Sequence, residues 1–257
     1  MHLVFIFLIG LCVGSFLNVV ILRTKEGASS VKGRSKCPFC HATLNATDLI
    51  PLGSYLWLRG KCRYCHTRID LQYPLVELAT GLGFILIYLR YFLDFSLPGG
   101  FSESLFFWFC ARDAFLFCVM LVIAVYDLHY THILDRFTIP ALIVLFPLQI
   151  FLGMSLTSLV MGAFVLASFF GVQYFLSGGA WVGGGDIRLG ALMGVALGLS
   201  QGLLALFLAY VIGAVIAVVL LATKKATRKT QIPFGPFLAG ATLLVLFAGD
   251  WIVTTFL

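Results

Sequence analysis

The chain is a series of apolar runs interrupted once. The first run covers residues 3–22, and others follow at 74–92, 105–126, 138–154, 156–176, 189–199, 201–222 and 234–256. A helix that crosses a bilayer needs about 20 predominantly apolar residues. The pattern therefore predicts an all-α polytopic membrane protein with about eight transmembrane helices. The run at 189–199 is short for a full crossing. Composition excludes the soluble alternative, because 61% of the 257 residues are hydrophobic and 11% are charged. A soluble domain carries roughly 25% charged residues and could not bury this much apolar surface. Collagen, intrinsic disorder and a small disulfide scaffold are excluded on the same grounds. The first run lacks a basic leader and a small-residue cleavage site, so it reads as a retained anchor.

The interruption, residues 24–72, holds eight of the seventeen Lys and Arg and four of the seven Cys. It predicts a small extramembrane domain inserted between the first helix (1–23) and the remaining membrane domain (73–257). Positive charge sets orientation in a membrane protein. With the amino terminus outside, fifteen of the seventeen Lys and Arg fall in inside loops, and only Arg90 and Arg112 fall outside. The inserted domain is then cytoplasmic. The net charge of +6 belongs to loops rather than to a nucleic-acid surface. The basic loop of Lys224, Lys225, Arg228 and Lys229 fits topology and anionic membrane lipid.

Cys37-Pro-Phe-Cys40 and Cys62-Arg-Tyr-Cys65 are two C-x-x-C pairs. Each pair can place two thiolates one tetrahedral edge apart, and two such knuckles make a four-sulfur zinc site. A domain this small has too little apolar core to fold unaided, which gives the metal a structural purpose. The competing reading is redox or disulfide pairs, which a reducing cytoplasm disfavours. His41 and His66 read as knuckle surface. Cys12, Cys110 and Cys118 lie in apolar runs and read as packing residues.

Two aspartates stand out because an ionisable group at membrane depth is costly. Asp127 ends the third run, and Asp186 opens the sixth after Gly183-Gly184-Gly185. Two carboxylates held close cannot both ionise cheaply. One keeps its proton while the other takes a proton from water, and the pair titrates as a unit. The alternative is that each caps a helix end in water. The glycines before Asp186 predict a sharp turn and close substrate approach. Gly190, Gly194 and Gly198 predict a stripe for tight helix packing. His129 and His132 could share a helix face and bind metal, but with no third ligand nearby they read as a solvated loop; Arg136 and Arg188 could orient a carboxylate, but read rather as headgroup anchors. Arg112 and Asp113 are adjacent, and adjacent residues do not face each other on a helix. They read as pairing with another helix or lying at the interface. Acidic residues near the bilayer midplane would mark a transporter, whereas these two lie at one face.

Gly14-Ser-Phe-Leu-Asn18-Val-Val-Ile-Leu-Arg23, the paired C-x-x-C motifs, Tyr73-Pro-Leu-Val-Glu77, Asp127, the G-x-G-D at Asp186 and Gln231-Ile-Pro233-Phe-Gly235-Pro236 occur in that order. Together they resemble the type IV prepilin peptidase family over nearly the whole chain. One departure is Leu134-Asp135 where the family usually reads Leu-Pro-Asp. The resemblance implies cleavage of a short basic leader from prepilins or pseudopilins, after a glycine, at the cytoplasmic face of the bacterial inner membrane. It also implies methylation of the new amino terminus with S-adenosylmethionine. Asp127 and Asp186 take the catalytic positions. Glu77 is the carboxylate best placed to favour the sulfonium cation of the methyl donor, with Asn18 and Arg23 shaping the same region; the other reading of Glu77 is a helix-end residue paired with a loop Arg.

Overall fold

A computed structural model describes residues 1–95, 103–225, 227 and 230–256. Arg228 and Lys229 of the basic loop lie outside the described residues. Among the described residues the regular elements are helical. They are α1 (His2–Lys25), a 3-10 turn (Ala46–Leu49), α2 (Gly53–Trp57), α3 (Gln72–Phe95), α4 (Glu103–Tyr130), α5 (Asp135–Phe151), α6 (Leu156–Ser177), α7 (Gly184–Ala222) and α8 (Gly235–Phe256). Five of the helices are long and apolar enough to cross a membrane: α1, α3, α4, α6 and α7. Large apolar side chains such as Phe5, Ile143, Phe164 and Val218 are exposed on the helix surfaces. Helices suit this environment because they satisfy their own backbone hydrogen bonds without water. The chain forms two compact units, Met1–Gly100 and Phe101–Leu257.

In the first unit α1 packs on α3 through small residues. A Cβ at Gly10 would lie 2.7 Å from the Gly81 Cα, and one at Gly14 would lie 2.7 Å from the Glu77 Cα. Such spacing lets two backbones approach closely in lipid. Between these helices the chain buries almost nothing. Within residues 26–71 only Cys37, Gly60 and Cys62 are buried.

The second unit is organised around α7, which is broken at Gly198 (φ 75°, ψ −176°). In a continuous helix Gly194 and Gly202 would be about 12 Å apart, at 1.5 Å per residue. Here a Cβ at Gly202 would lie 3.7 Å from the Gly194 Cα, so the chain doubles back on itself at the break. The runs at 189–199 and 201–222 are thus two arms of one hairpin. Gly190 and Gly194 do form a packing stripe, against Phe170 and Gly162 of α6. Gly198 also lies against α6, since a Cβ at Gly162 would lie 2.9 Å from its carbonyl carbon, and its positive φ makes it the turn as well.

The break frees backbone groups, and side chains from neighbouring helices satisfy them. Gln149 of α5 donates to the carbonyls of Val195 and Ala196. The Leu199 N–H donates to the Ser158 Oγ of α6 at 3.3 Å. Gln149 in turn accepts from Arg112 Nη1 at 3.0 Å, and Arg112 Nε donates to Asp113 Oδ1 at 2.7 Å. Adjacent Arg112 and Asp113 do meet, because the long guanidinium side chain reaches back to its neighbour. Arg112 also reaches another helix, as expected. The hairpin packs with α6 and α8 around buried Leu166, Phe170, Leu189, Met193 and Leu238.

Candidate active site and metal centre

Asp127 lies one turn before the end of α4, which continues to Tyr130, so it does not end the helix. A carboxylate there faces the negative end of the helix dipole. It is nonetheless 4% exposed. Its partner comes from far along the chain: the Gly235 N–H, at the start of α8, donates to Asp127 Oδ2 at 2.8 Å. A Cβ at residue 235 would lie 2.7 Å from that same oxygen. The contact therefore requires glycine.

Asp186 is the third residue of α7. Its Oδ2 accepts from the Gly183 N–H at 2.9 Å, which is a helix-capping contact. Its Oδ1 is buried and has no hydrogen-bond partner among the described residues. The Asp127 and Asp186 carboxylates lie within electrostatic reach of each other.

Local packing explains how the two helix ends meet. A Cβ at Gly185 would lie 2.7 Å from the Ile133 Cβ, so this glycine admits the loop that follows α4. Gly183 has an ordinary extended conformation, and Gly184 has open space around it. The sharp turn expected at these glycines is instead at Gly178 and Gly179, which carry positive φ. Arg188 pairs with Asp135 across the same junction. His129 and His132 are exposed, and His132 lies within electrostatic reach of Asp127.

Two further side chains stand at this site. The Tyr210 hydroxyl donates to Gln173 Oε1 at 3.1 Å, and Tyr210 lies within electrostatic reach of Asp186. Its ring lies 4.9 Å from that of Phe234, the neighbour of Gly235. Gln173 Nε2 donates to the Phe169 carbonyl at 3.2 Å, which fixes the amide so that its oxygen faces the tyrosine. Gly198 sits midway in sequence between Asp186 and Tyr210. That symmetry was the available signal, and it becomes readable only once Gly198 is known to be a hairpin turn.

In the first unit, Cys37, Cys40, Cys62 and Cys65 offer four sulfurs that all lie within 4.8 Å of one another. All four thiols are free. Cys37 Sγ and Cys65 Sγ are 3.9 Å apart. A tetrahedral metal with M–S bonds of about 2.3 Å needs sulfurs about 3.8 Å apart. The two knuckles repeat one geometry. Cys37 N–H donates to the Ala42 carbonyl and His41 N–H to the Cys37 carbonyl, while Cys62 bonds to Thr67 and His66 to Cys62 in the same way. His41 and His66 both have φ of 57° and are not part of the sulfur cluster. Cys65 Sγ lies 3.4 Å from Thr67 Oγ1, and the contact with Thr67 holds that thiol below the ordinary range. The donor set fits a tetrahedral metal ion.

The remaining three predicted residues also lie in the first unit. Asn18 Nδ2 donates to the Tyr73 carbonyl at 3.1 Å, and its oxygen accepts from Gln72. Arg23 donates to the carbonyls of Ser29, Lys32 and Gly33, folding the chain just after α1. Glu77 is buried, bonded to the Ser15 hydroxyl, and accepts from the Leu52 N–H at 2.8 Å.

Residues 8–91 match the Bacterial Peptidase A24 N-terminal domain, and residues 114–218 match the Type IV leader peptidase family. A prepilin leader peptidase/N-methyltransferase of Aeromonas hydrophila is 31% identical, covering 98% of this chain and 94% of that protein. One from Bacillus subtilis is 32% identical, covering 98% of this chain and 96% of its own. The chain belongs to the prepilin leader peptidase/N-methyltransferase family. It is an enzyme of that family.

A family member from Myxococcus xanthus is 56% identical over 81 residues, which are 32% of this chain and 24% of that protein. The first family match includes the four cysteines and Glu77. The second includes Asp127, Asp186 and Tyr210 but ends before Gly235. No solved structure matches the chain.

Proposed function

We propose that this family member cleaves the leader of a type IV prepilin or pseudopilin after a glycine, using Asp127 and Asp186, and then methylates the new amino terminus. The observation that carries the reading is the pairing of two buried carboxylates at helix ends, one of which keeps an unpartnered oxygen. A carboxylate that merely capped a helix in water would have no buried orphan oxygen. In the reaction one aspartate takes a proton from water as the hydroxyl attacks the scissile carbonyl. The other gives its proton to the carbonyl oxygen. Collapse of the tetrahedral intermediate breaks the C–N bond, and the amine leaves with a proton from the dyad. The substrate's apolar helix lies in the membrane, and its leader is extended at the dyad because a helix hides its carbonyls.

The membrane reading is finer than five helices. With the hairpin arms of α7 as two crossings, and α5 and α8 included, there are eight transmembrane segments. Residues 24–72 form a cytoplasmic zinc domain, and 73–257 form the membrane peptidase domain in the bacterial inner membrane. Cys37, Cys40, Cys62 and Cys65 hold the zinc, whose role is to fix the domain, since four thiolates leave no open coordination position. S-adenosylmethionine, when bound, supplies the methyl group. Glu77 is the carboxylate that would face its sulfonium charge, while Asn18 and Arg23 shape the surrounding chain through backbone contacts.

Intact mass and amino-terminal sequencing of a co-expressed prepilin test the proposal, with Asp186→Asn alongside. A product that begins after the glycine and is heavier by one CH2 unit establishes both activities. A trimmed but unmodified product keeps the peptidase and removes the transferase. Cleavage that persists in Asp186→Asn overturns the aspartyl mechanism.

A further inference from the structure

The first unit carries an apolar feature that peptide cleavage does not use. In the short helix α2, Leu56 is 74% exposed and Trp57 is 86% exposed. They lie in the polar segment between α1 and α3, where no crossing run accounts for them. We propose that Leu56 and Trp57 form an interfacial anchor that dips into the phospholipid bilayer beside α3, with the neighbouring basic residues on anionic headgroups.

Three observations carry this. The first is depth. Pro51, Leu52 and Gly53 make a tight turn in which the Gly53 N–H donates to the Pro51 carbonyl, and Leu52 adopts φ of 55°. That strained residue is retained because its freed N–H is bound by Glu77 Oε2 at 2.8 Å. Glu77 is the sixth residue of α3, about 7 Å along the helix from its start at 1.5 Å per residue. The turn that leads into α2 is therefore bound beside the apolar body of α3, not held out in solvent. The second is charge. Arg59 and Lys61 lie two and four residues after Trp57, and residues 26–71 hold seven Lys and Arg against three Asp and Glu. A tryptophan closely followed by basic residues suits the headgroup boundary, where its ring is apolar and its N–H stays wet. The third is α3 itself. Leu75, in its first turns and two residues before Glu77, is 58% exposed, so the helix that binds the turn presents an apolar side chain outward at that level.

The occupant is thus lipid rather than a second protein. The anchor would hold the metal knuckles flat against the membrane beside α3.

The test uses the full-length protein in nanodiscs that contain anionic phospholipid. The tryptophans are Trp57, Trp108, Trp181 and Trp251. The contribution of Trp57 is the difference in emission between the wild type and Trp57→Phe. A second variant with Trp108, Trp181 and Trp251 replaced by Phe reports Trp57 alone. The expected result is strong quenching of Trp57 by lipids brominated on their acyl chains, and weak quenching by acrylamide. Strong acrylamide quenching with no effect of brominated lipid overturns the proposal. So does shielding that arises only when a prepilin is added, which assigns the surface to substrate. Shielding that grows with protein density at fixed lipid assigns it to a second copy and also overturns it.

Discussion

Asp186 uses one oxygen to cap its own helix and leaves the other buried and unpartnered. Replacement by asparagine keeps a cap acceptor and removes only the acid–base function proposed for the carboxylate. Asp186→Asn is therefore expected to lower prepilin cleavage by at least about 10²-fold, with little change in the thermal midpoint of the detergent-solubilised protein. Gly235 poses a complementary case, because its N–H holds Asp127 and a Cβ there would lie 2.7 Å from Asp127 Oδ2. Gly235→Ala should push the carboxylate aside. A misplacement of about 1 Å can cost about 10²-fold, so kcat is expected to fall while KM holds. A fall in both the thermal midpoint and expression would mean instead that the glycine serves folding. Asp48, in the polar segment, allows a pH test. Burial opposes its ionisation, but the Asn45 N–H and the Arg63 guanidinium outweigh that and hold its carboxyl below the ordinary range. A depressed carboxyl contributes stability that is full above its unfolded value, about 3.9, and is lost as pH falls through the folded value. The difference in thermal midpoint between wild type and Asp48→Asn should be constant from neutral pH to roughly pH 4 and close below it.

At the level of elements, the break in α7 decides where Asp186 and Tyr210 stand. Gly198 has φ of 75° with extended ψ, a conformation that side chains resist, and a Cβ there would lie 2.7 Å from Ser158 Oγ. Gly198→Ala is expected to cost about 1–3 kcal/mol in strain, seen as a lower thermal midpoint with a matching loss of activity. An unchanged midpoint would show that the turn tolerates a side chain. The apolar runs were legible because bilayer thickness imposes its own length on helices. The run at 189–199 was legible as short, but not as one arm of a hairpin. Its turn depends on Gln149 and Ser158, which belong to helices earlier in the chain. The same reason separates what was readable at the site. Asp127, Asp186 and the four cysteines stand in local motifs whose spacing carries the chemistry. Gly235 stands in the Gln231–Pro236 motif, but that motif does not show that its N–H reaches Asp127; Tyr210 joins the site only through tertiary contact, and no local pattern marks it.

Across the whole chain, the two units draw their stability from different sources. The second unit buries a continuous apolar core between α4 and α8. The polar segment of the first buries Cys37, Gly60 and Cys62 among residues 26–71 and no large aliphatic or aromatic side chain. Its cross-links are polar and local. Asp48 binds the Asn45 N–H and Arg63, and Tyr64 bonds to both Asp48 and Asn45, joining the second knuckle to the 3-10 turn. An ion pair whose guanidinium stays half-exposed, as Arg63 does here, contributes on the order of 1 kcal/mol. A structural zinc contributes roughly 10–16 kcal/mol in small peptides at neutral pH, so an ion held by the four cysteines would take the place of the missing core. Removing it with a strong chelator should unfold residues 26–71 and leave the second unit intact. Limited proteolysis followed by mass spectrometry of the fragments checks this. New cuts should appear between α1 and α3, none should appear in α4 to α8, and added zinc should suppress them. If chelation leaves the digestion pattern unchanged, the segment is held by its polar contacts, and the four thiols are not its core.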